Sequence, residues 1–337
     1  MSVRSFWFCT TALEAIEGHV LKGYNIIVTG SNSGLGIETV RAFAKAGANC
    51  FMTARNIEKA QSVADDIIST TGNKNIHLDK LELDSLDSVN SYVEKFLEKD
   101  EPLHILVNNA GVAGCPHSFT KDGIEMQFGT NHIGHFALTT GLIPALKKGV
   151  VQSGRNSRVV NVGSLMHVNC DFDFEDYNFE KRKYEPYVSY GQSKTANSLF
   201  SLGLTERFAK DGIFSNSLHP GVIITNIQRH APERVPGNLL ILIPWINLFV
   251  LIKCYIGLIE NYKLKTVEQG AATTVWAATA QELDGKGGLY LEDCKISDEV
   301  NDIEKIKQEK FGFMSFIMDK TSSDKLWDLS EKLIRKN

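Results

Sequence analysis

The chain has 337 residues, of which 43% are hydrophobic and 23% charged, a composition typical of folded soluble proteins rather than disordered or fibrous ones. Its formal net charge of −4, without a long basic run, argues against a nucleic-acid-binding surface. Six scattered cysteines form no C-x-x-C pair, so neither a disulfide framework nor a metal site is predicted, and a reducing compartment such as the cytoplasm fits best.

The N-terminal segment, residues 1–22, is predicted to be an extension with a short surface helix, and the main domain is predicted to cover residues 23–337. Its apolar stretch at 6–9 is too short for the core of a signal peptide. Because Arg4 precedes the first acidic residue, Glu14, a short organelle-targeting peptide is an alternative.

Short apolar runs then alternate with segments of helical period, which is the pattern of β-α units in a parallel sheet. Between the first two runs, for example, Ile37, Val40 and Phe43 fall at helical spacing. The strand candidates are NIIVTG, NCFMTAR, IHLDKLELD, HILVNNAG, SRVVNVGS, IFSNSLHPG and GGLYLED. They predict one α/β domain of the doubly wound Rossmann type, with a mainly parallel seven-stranded sheet and helices on both faces.

The first strand candidate leads into a glycine-rich turn and then an amphipathic helix. Gly30 would allow a tight exit from the strand, Gly34 would let the backbone approach a pyrophosphate, and Gly36 would let the helix pack close to the sheet. The helix N-terminus would present its N–H groups to the phosphates. We therefore predict a dinucleotide site at Gly30, Ser31, Asn32, Ser33, Gly34, Leu35 and Gly36.

The second strand candidate ends at Arg55, and no acidic residue follows until Glu58. A carboxylate at this place accepts a hydrogen bond from the ribose of NAD, whereas an arginine accommodates the 2′-phosphate of NADP. Arg55 therefore favours NADP(H) over NAD(H). The alternative is an arginine that only caps a loop in solvent.

A tyrosine and a lysine stand four residues apart at Tyr190 and Lys194. On a helix this spacing places both side chains on one face. Taken alone, the pair is more typical of a solvated helix face than of a catalytic site, and a cofactor motif elsewhere in the chain is needed to favour catalysis.

Six stretches in order, TGSNSGLG, NNAG, FGTNHIGHF, VVNVGS, YGQSK and HPG, supply that context. In them the sequence resembles the short-chain dehydrogenase/reductases, and within that group the retinol dehydrogenases and the oxidoreductase domain of the WW-domain-containing oxidoreductases. The resemblance covers residues 10–335 or so.

The resemblance implies a catalytic tetrad of Asn131, Ser164, Tyr190 and Lys194. Tyr190 would move the proton that accompanies hydride transfer, and Lys194 would lower its pKa and hydrogen-bond the nicotinamide ribose. Ser164 would donate to the substrate oxygen. Asn131 would anchor Lys194 through a water-linked relay.

The resemblance also implies further cofactor contacts. Asn108 would support the sheet, the backbone near Ala110 would lie along the adenosine, and Asp84 would sit near the adenine edge. Thr225 would reach the nicotinamide carboxamide, with a simple turn or helix cap as its alternative. The chain departs from the many relatives that carry Ser-Ser where it has Gly163–Ser164, but it retains the serine at the catalytic position.

The most apolar segment, residues 237–262, interrupts the β-α pattern. Its uninterrupted run, 239–252, contains Pro244 and is shorter than the about 20 residues of a membrane-spanning helix. Buried helices, a small apolar lid over a substrate pocket and a peripheral contact with an intracellular membrane all agree with it. A lipophilic substrate that enters from a membrane would combine the last two.

Together these features predict an NADP(H)-dependent oxidoreductase that interconverts a lipophilic alcohol, such as a retinoid or steroid, and its aldehyde or ketone. One alternative is a cofactor-binding protein with a regulatory role, against which the intact tetrad argues. Another is an epimerase or dehydratase, for which G-x-x-G-x-x-G is typical. The predicted partner is a small lipophilic substrate and not a nucleic acid, and the formation of a homo-oligomer is left open.

Overall fold

A central sheet of eight strands runs through the described part of the chain, which covers residues 8–223, 264–309 and 311–335 of this computed structural model. Two further short strands pair with each other separately. In chain order the strands are β1 (Asn25–Thr29), β2 (Asn49–Ala54), β3 (Ile76–Lys80), β4 (Ile105–Asn108), β5 (Ser157–Val162), β6 (Ile213–His219), β7 (Val222–Ile223), β8 (Leu264–Lys265), β9 (Tyr290–Glu292) and β10 (Lys295–Ile296).

The strand order in the central sheet is β3-β2-β1-β4-β5-β6-β9-β10. Neighbouring strands are parallel except β9 and β10, which pair antiparallel at one edge. The seven parallel strands are the seven that the sequence predicts, so the doubly wound α/β fold is confirmed. The two-residue strand β10 was not predicted, because it is too short to show a period of two.

Helices cover both faces of this sheet. They are α1 (Ala12–Ile16), α2 (Leu35–Lys45), α3 (Ile57–Thr71), α4 (Leu86–Glu98), α5 (Met126–Phe128), α6 (Gly134–Gly141), α7 (Ile143–Ser153), α8 (Pro186–Phe208), α9 (Val267–Gly270), α10 (Ala272–Thr279), α11 (Ile303–Glu309) and α12 (Lys320–Arg335). Helices α1, α2, α3 and α10 contribute to one hydrophobic core, and α4, α6, α7, α8 and α12 contribute to the other. Strand β1 is buried at every position, as a strand covered on both faces must be.

Helix α1 belongs to the first of these cores. Its N-terminus is closed by a capping box between Thr11 and Glu14, and Ala12, Ala15 and Ile16 are buried. Helix α1 therefore packs on the same core as α2 and α10.

Helix α12 covers the second core by packing on α6 and α8. The Trp327 ring lies edge-on to Phe136, with 4.9 Å between the ring centroids. The Ser323 hydroxyl donates to the Leu199 carbonyl at 2.8 Å, and the Ser330 hydroxyl lies 2.8 Å from His132 Nε2. The C-terminal helix thus supports α8, which carries Tyr190 and Lys194, and the residues just before α6, where Asn131 lies.

Two parts of the sequence-based interpretation, Thr225 and the apolar segment 237–262, lie outside the described residues. Among the residues that are described, none of the helices combines the length and the hydropathy that crossing a membrane requires.

Candidate active site

Asn131 lies in a π-helical turn, Gly129–Ile133, that joins α5 to α6. Such turns widen the helix locally and occur often at functional sites. The Asn131 side chain is buried and holds the loop after β4: its Oδ1 accepts from Val112 N at 2.9 Å, and its Nδ2 donates to Val112 O at 2.9 Å. Nδ2 also donates to Ser193 Oγ at 2.9 Å, and Ser193 in turn donates to the Tyr190 carbonyl at 2.8 Å. Asn131 therefore joins the loop after β4 to helix α8.

Lys194 is buried on α8 and points toward the carboxyl end of β5. Its Nζ donates to the Val162 carbonyl at 2.8 Å. Gly111 lies against both Lys194 and Asn131, since a Cβ at this position would stand 3.7 Å from Lys194 Nζ and 3.1 Å from Asn131 Oδ1. Burial lowers the pKa of Lys194 to about 8, because few groups nearby replace the hydration of the ammonium.

Tyr190 and Ser164 meet between α8 and the end of β5. The Ser164 hydroxyl hydrogen-bonds the Tyr190 phenol, and Lys194 Nζ lies 5.6 Å from the centroid of the tyrosine ring. Burial raises the pKa of Tyr190 to about 12, and the hydrogen bond from Ser164 opposes this in part. In the protein alone, desolvation of the phenolate is therefore the dominant influence on this pKa. The lowering of the pKa by Lys194 stays a prediction.

The serine is held by its own backbone surroundings. Ser164 caps a short 3₁₀ turn, Leu165–Asn169, and its Oγ accepts from Met166 N at 3.2 Å. The preceding Gly163 leaves no room for a side chain, since a Cβ there would lie 2.8 Å from the Leu218 carbonyl oxygen. This close approach of β6 gives a steric reason for glycine at the position where many relatives have serine.

The glycine turn between β1 and α2 has the geometry of an anion cradle. Gly30 and Gly34 have φ values of 62° and 53°, which residues with a Cβ rarely adopt. A Cβ on Gly36 would lie 2.5 Å from the Gly30 carbonyl oxygen. Since Gly34 is the N-cap of α2 and has no side chain, the first N–H groups of the helix receive no cap from that residue and can face a phosphate.

The other residues of the predicted turn differ in exposure. Ser31 is buried and its N–H donates to the Thr53 carbonyl at 3.3 Å, which ties the turn to β2. Ser33 is exposed, while Asn32 and Leu35 are partly buried. This turn therefore fits the pyrophosphate of a dinucleotide.

Asn108 ends β4 and Ala110 follows in the next loop, and both contact neighbouring elements. Asn108 Nδ2 donates to Thr139 Oγ1 at 3.0 Å and to Asn161 Oδ1 at 2.8 Å, linking β4 to β5 and α6. Ala110 packs against Gly30, where an added Cβ would lie 2.8 Å from the Ala110 Cβ. The loop after β4 therefore borders the glycine turn directly.

Arg55 follows β2 and Asp84 follows β3, the two strands that lie on the opposite side of β1 from β4. Arg55 is exposed immediately after β2 and makes no hydrogen bond among the described residues. Strand β3 ends at Lys80, so Asp84 lies in the loop before α4 rather than at a strand end. Its carbonyl accepts from Lys121 N at 3.0 Å, and its side chain is partly buried.

Three buried polar residues near the tetrad were not singled out from the sequence. His135 lies one helical turn after Asn131, and this spacing within FGTNHIGHF is the sequence feature that could have identified it. His219 and Glu292 lie side by side on β6 and β9, and both line a cavity of about 370 Å³. Burial raises the pKa of Glu292 to about 8, although Ser297 and Gly312 donate to its Oε2. Since residues 219 and 292 pair only through the sheet, no local pattern reveals them.

A family model described as short chain dehydrogenase matches residues 24–235 of the chain. Among curated proteins, a short-chain dehydrogenase of Brassica napus named TIC 32 B, chloroplastic, is 35% identical over 96% of this chain and 93% of its own length. Retinol dehydrogenase 12 of Mus musculus is 33% identical over 99% of this chain and 92% of its own length.

Solved structures give the same result for the fold. An uncharacterised protein from Mycobacterium paratuberculosis superposes with a TM-score of 0.69 at 26% identity, over 97% of this chain and 98% of the other. RhlG of Pseudomonas aeruginosa, in a complex with NADP, superposes with a TM-score of 0.52 at 25% identity, over 65% of this chain and 81% of the other.

Proposed function

The chain belongs to the short-chain dehydrogenases, and we propose that it is an NADP(H)-dependent oxidoreductase that interconverts a lipophilic alcohol and its aldehyde or ketone. One observation carries the proposal: a phenol, a serine hydroxyl and a buried ammonium converge beside a glycine turn suited to a pyrophosphate. Each of these groups has a task in moving a proton to or from a substrate oxygen.

Tyr190 is the acid and base of the proposed reaction. During reduction its phenol gives a proton to the substrate oxygen as negative charge develops there, and during oxidation it takes the proton back. Ser164, which hydrogen-bonds the phenol, donates to the same oxygen and holds it in place. The buried Lys194 ammonium favours the phenolate after the proton has left.

The cofactor site combines the glycine turn with the ends of β2 and β4. The nicotinamide cofactor supplies or accepts the hydride when it is bound. The turn from Gly30 to Gly36 would hold its pyrophosphate, the loop at Asn108–Ala110 would border its adenosine, and Asp84 and Thr225 are proposed to contact its two rings. Arg55, exposed and free of hydrogen bonds among the described residues, supports a preference for the 2′-phosphate of NADP.

The lipophilic substrate class is supported by the apolar segment 237–262 and by similarity to proteins named retinol dehydrogenases. The same segment supports a peripheral contact with an intracellular membrane, from which such a substrate would enter.

The proposal is tested by assaying the purified protein with NADPH and a panel of retinoid, steroid and fatty aldehydes and ketones. Tyr190→Phe is expected to lower turnover by at least about 100-fold while NADPH affinity stays within about threefold, because only the proton path is removed. Tyr187→Phe, which removes a hydroxyl from the same helix, is the matched control and should retain activity.

Two results would contradict the proposal. Wild-type turnover by Tyr190→Phe would exclude this phenol as the acid. Tight NADPH binding by the wild-type protein, without turnover of any member of the panel, would instead favour a cofactor-binding regulatory protein.

A further inference from the structure

His135 is a buried histidine on α6 with a hydrogen-bond partner on each ring nitrogen. Its Nδ1 lies 2.9 Å from the Asn131 carbonyl oxygen, and its Nε2 lies 2.8 Å from Thr29 Oγ1. Asn131 is the asparagine of the tetrad, and Thr29 is the last residue of β1, directly before the glycine turn. The ring therefore bridges the catalytic residues and the cofactor cradle.

The partners of the ring determine where its proton resides. A carbonyl oxygen can only accept, so Nδ1 carries the proton and donates to Asn131. The neutral ring then accepts at Nε2, and the Thr29 hydroxyl is the donor. This fits the rest of the threonine, whose Oγ1 already accepts from Asn109 N and Ala110 N at 2.9 Å each.

These hydrogen bonds form one continuous series. It begins at the backbone of Asn109 and Ala110, which borders the glycine turn, and passes through Thr29 and His135 to the Asn131 carbonyl. The Asn131 side chain donates to the Ser193 hydroxyl, and Ser193 donates to the carbonyl of Tyr190. Every bond in the series is 2.8 to 2.9 Å long.

We propose that His135 is a positioning residue that sets the orientation of Asn131 in the π-helical turn and couples the cofactor cradle to the Tyr190–Lys194 helix. The inference rests on the proposed function, since it assigns His135 a task in that reaction. A helix turn of π type has a less regular backbone hydrogen-bond pattern than an α-helix, and the imidazole supplies the Asn131 carbonyl with a fixed donor.

The neutral state of the ring suits this role. Burial lowers the pKa of His135 to about 4, with a further small contribution from the positive charge of Lys194 on α8. His132 in the π-helical turn also interacts with His135, and burial lowers the pKa of His132 to about 3. A charged ring would have to donate at Nε2 as well, and the Thr29 hydroxyl would then be left with the more distant Val107 carbonyl, at 3.4 Å, as acceptor.

Two conservative variants separate the two ends of the bridge. His135→Asn places an amide near the position of Nδ1 and can still donate to Asn131, whereas His135→Gln places an amide near Nε2 and keeps only the contact with Thr29. We expect His135→Gln to lower kcat by about 10- to 100-fold with NADPH affinity within about threefold of wild type, because small displacements of catalytic groups cost rates of this order. His135→Asn should recover most of kcat but bind NADPH more weakly.

The pH profile of kcat provides a readout that a general loss of stability would not change. His135→Gln should shift the profile, because the released Asn131 is linked through Ser193 to the backbone of Tyr190, and His135→Asn should not. His132→Asn is the matched control: it removes a buried histidine of the neighbouring turn, whose Nε2 contacts Ser330 rather than Asn131, and should lower Tm without changing the profile.

Equal kcat values and equal pH profiles for the two His135 variants would overturn the inference. If the wild-type protein turns over no substrate of the panel, the proposed function fails. The coupling is then tested by NADPH fluorescence titration, in which Thr29→Val and His135→Asn should both weaken binding more than His135→Gln does. Equal affinities in all three variants would also overturn it.

Discussion

Two tyrosines near the start of α8 show how surroundings rather than residue type determine a role. The Tyr184 hydroxyl donates to the Cys115 carbonyl at 2.9 Å and accepts from Gln127 Nε2 at 2.8 Å, so it is fully used in holding loops together. The Tyr190 hydroxyl instead meets Ser164, and its ring lies beside Lys194. Of the two phenols, only that of Tyr190 is therefore placed to exchange a proton with a substrate oxygen.

Arg55 allows the cofactor preference to be tested at a single residue. Arg55→Asp is expected to shift the ratio of kcat/KM for NADPH and NADH by about 10- to 100-fold toward NADH, because it replaces a charged hydrogen bond to the phosphate with repulsion. Steady-state kinetics with both cofactors measure the ratio. Arg155→Asp, the same charge change at another exposed site, should leave the ratio unchanged, and an unchanged ratio in Arg55→Asp itself would exclude a role for this residue.

Glu292 makes stability depend on pH. Its folded pKa of about 8 lies above the ordinary value of 4.5, so the folded state holds this proton more tightly than the unfolded chain does. The stability from this proton is present at low pH and is lost as pH rises from about 4.5 to about 8. Glu292→Gln keeps an oxygen for Ser297 and Gly312, and its Tm relative to wild type is therefore expected to rise between pH 5 and pH 8.5.

The exposed residue Glu282 supplies the control for this measurement, since Glu282→Gln should show no such trend. A difference in Tm between Glu292→Gln and wild type that stays constant over this range would show that Glu292 is ionised in the folded protein.

At the scale of elements, the glycine turn and helix α8 use small residues for opposite purposes. In the turn, glycines leave space for a ligand beside the N-terminus of α2. In α8, Gly191 and several buried serines let the helix approach its neighbours closely: a Cβ on Gly191 would lie 2.7 Å from the Met166 carbonyl oxygen. Because α8 is buried on most of its sides, it shows no apolar stripe, and its helical character is less evident from sequence than that of α2.

Gly36→Ala tests the close approach at the glycine turn. The added Cβ would lie 2.5 Å from the Gly30 carbonyl oxygen and 2.8 Å from Asn109 Nδ2, so the turn must open. We expect NADPH affinity to fall by at least about 10-fold, in line with the cost of overpacking. Gly149→Ala is the control: its Cβ would lie 2.0 Å from the Leu103 carbonyl oxygen, away from the turn, and should lower Tm but not the affinity of the folded protein. Equal affinity of Gly36→Ala and wild type would exclude the turn as the pyrophosphate site.

At the scale of the whole molecule, the two cores and the site at the carboxyl edge of the sheet enclose several histidines. Burial lowers the pKa to about 3 for His132 and His219 and to about 4 for His135 and His167. Each has a folded pKa below the ordinary value of 6.5, so the unfolded chain binds protons first as the pH falls. The stability that these neutral rings contribute is present above pH 6.5 and is lost as the pH falls from about 6.5 to the folded pKa values of about 4 and about 3.

We therefore expect Tm to fall steeply as the pH is lowered from 7 to 4.5. Each of the four histidines is expected to lower the free energy of unfolding by at most about 1 kcal/mol per pH unit. Thermal unfolding followed by circular dichroism across this range measures the effect. His219→Asn, which keeps an acceptor for Leu165 N, should make the dependence shallower. A Tm that stays constant between pH 7 and pH 5 would contradict the burial of these rings.

The family, the seven parallel strands and the glycine turn were predicted from the sequence, and the fold and the family are confirmed. These features depend on local properties: the period of apolar residues, the conformational freedom of Gly30 and Gly34, and the spacing of Tyr190 and Lys194 within one helical turn. Each of these properties lies within one short motif, and the family is indicated by six such motifs in order.

Only the tertiary structure decided the electrostatics and the connections of the site. The raised pKa of Tyr190, the buried carboxyl of Glu292 and the bridge from Thr29 through His135 to Asn131 all depend on groups brought together by the sheet from distant parts of the chain. Desolvation and hydrogen-bond satisfaction are properties of the assembled surroundings, so no local pattern in the sequence can express them.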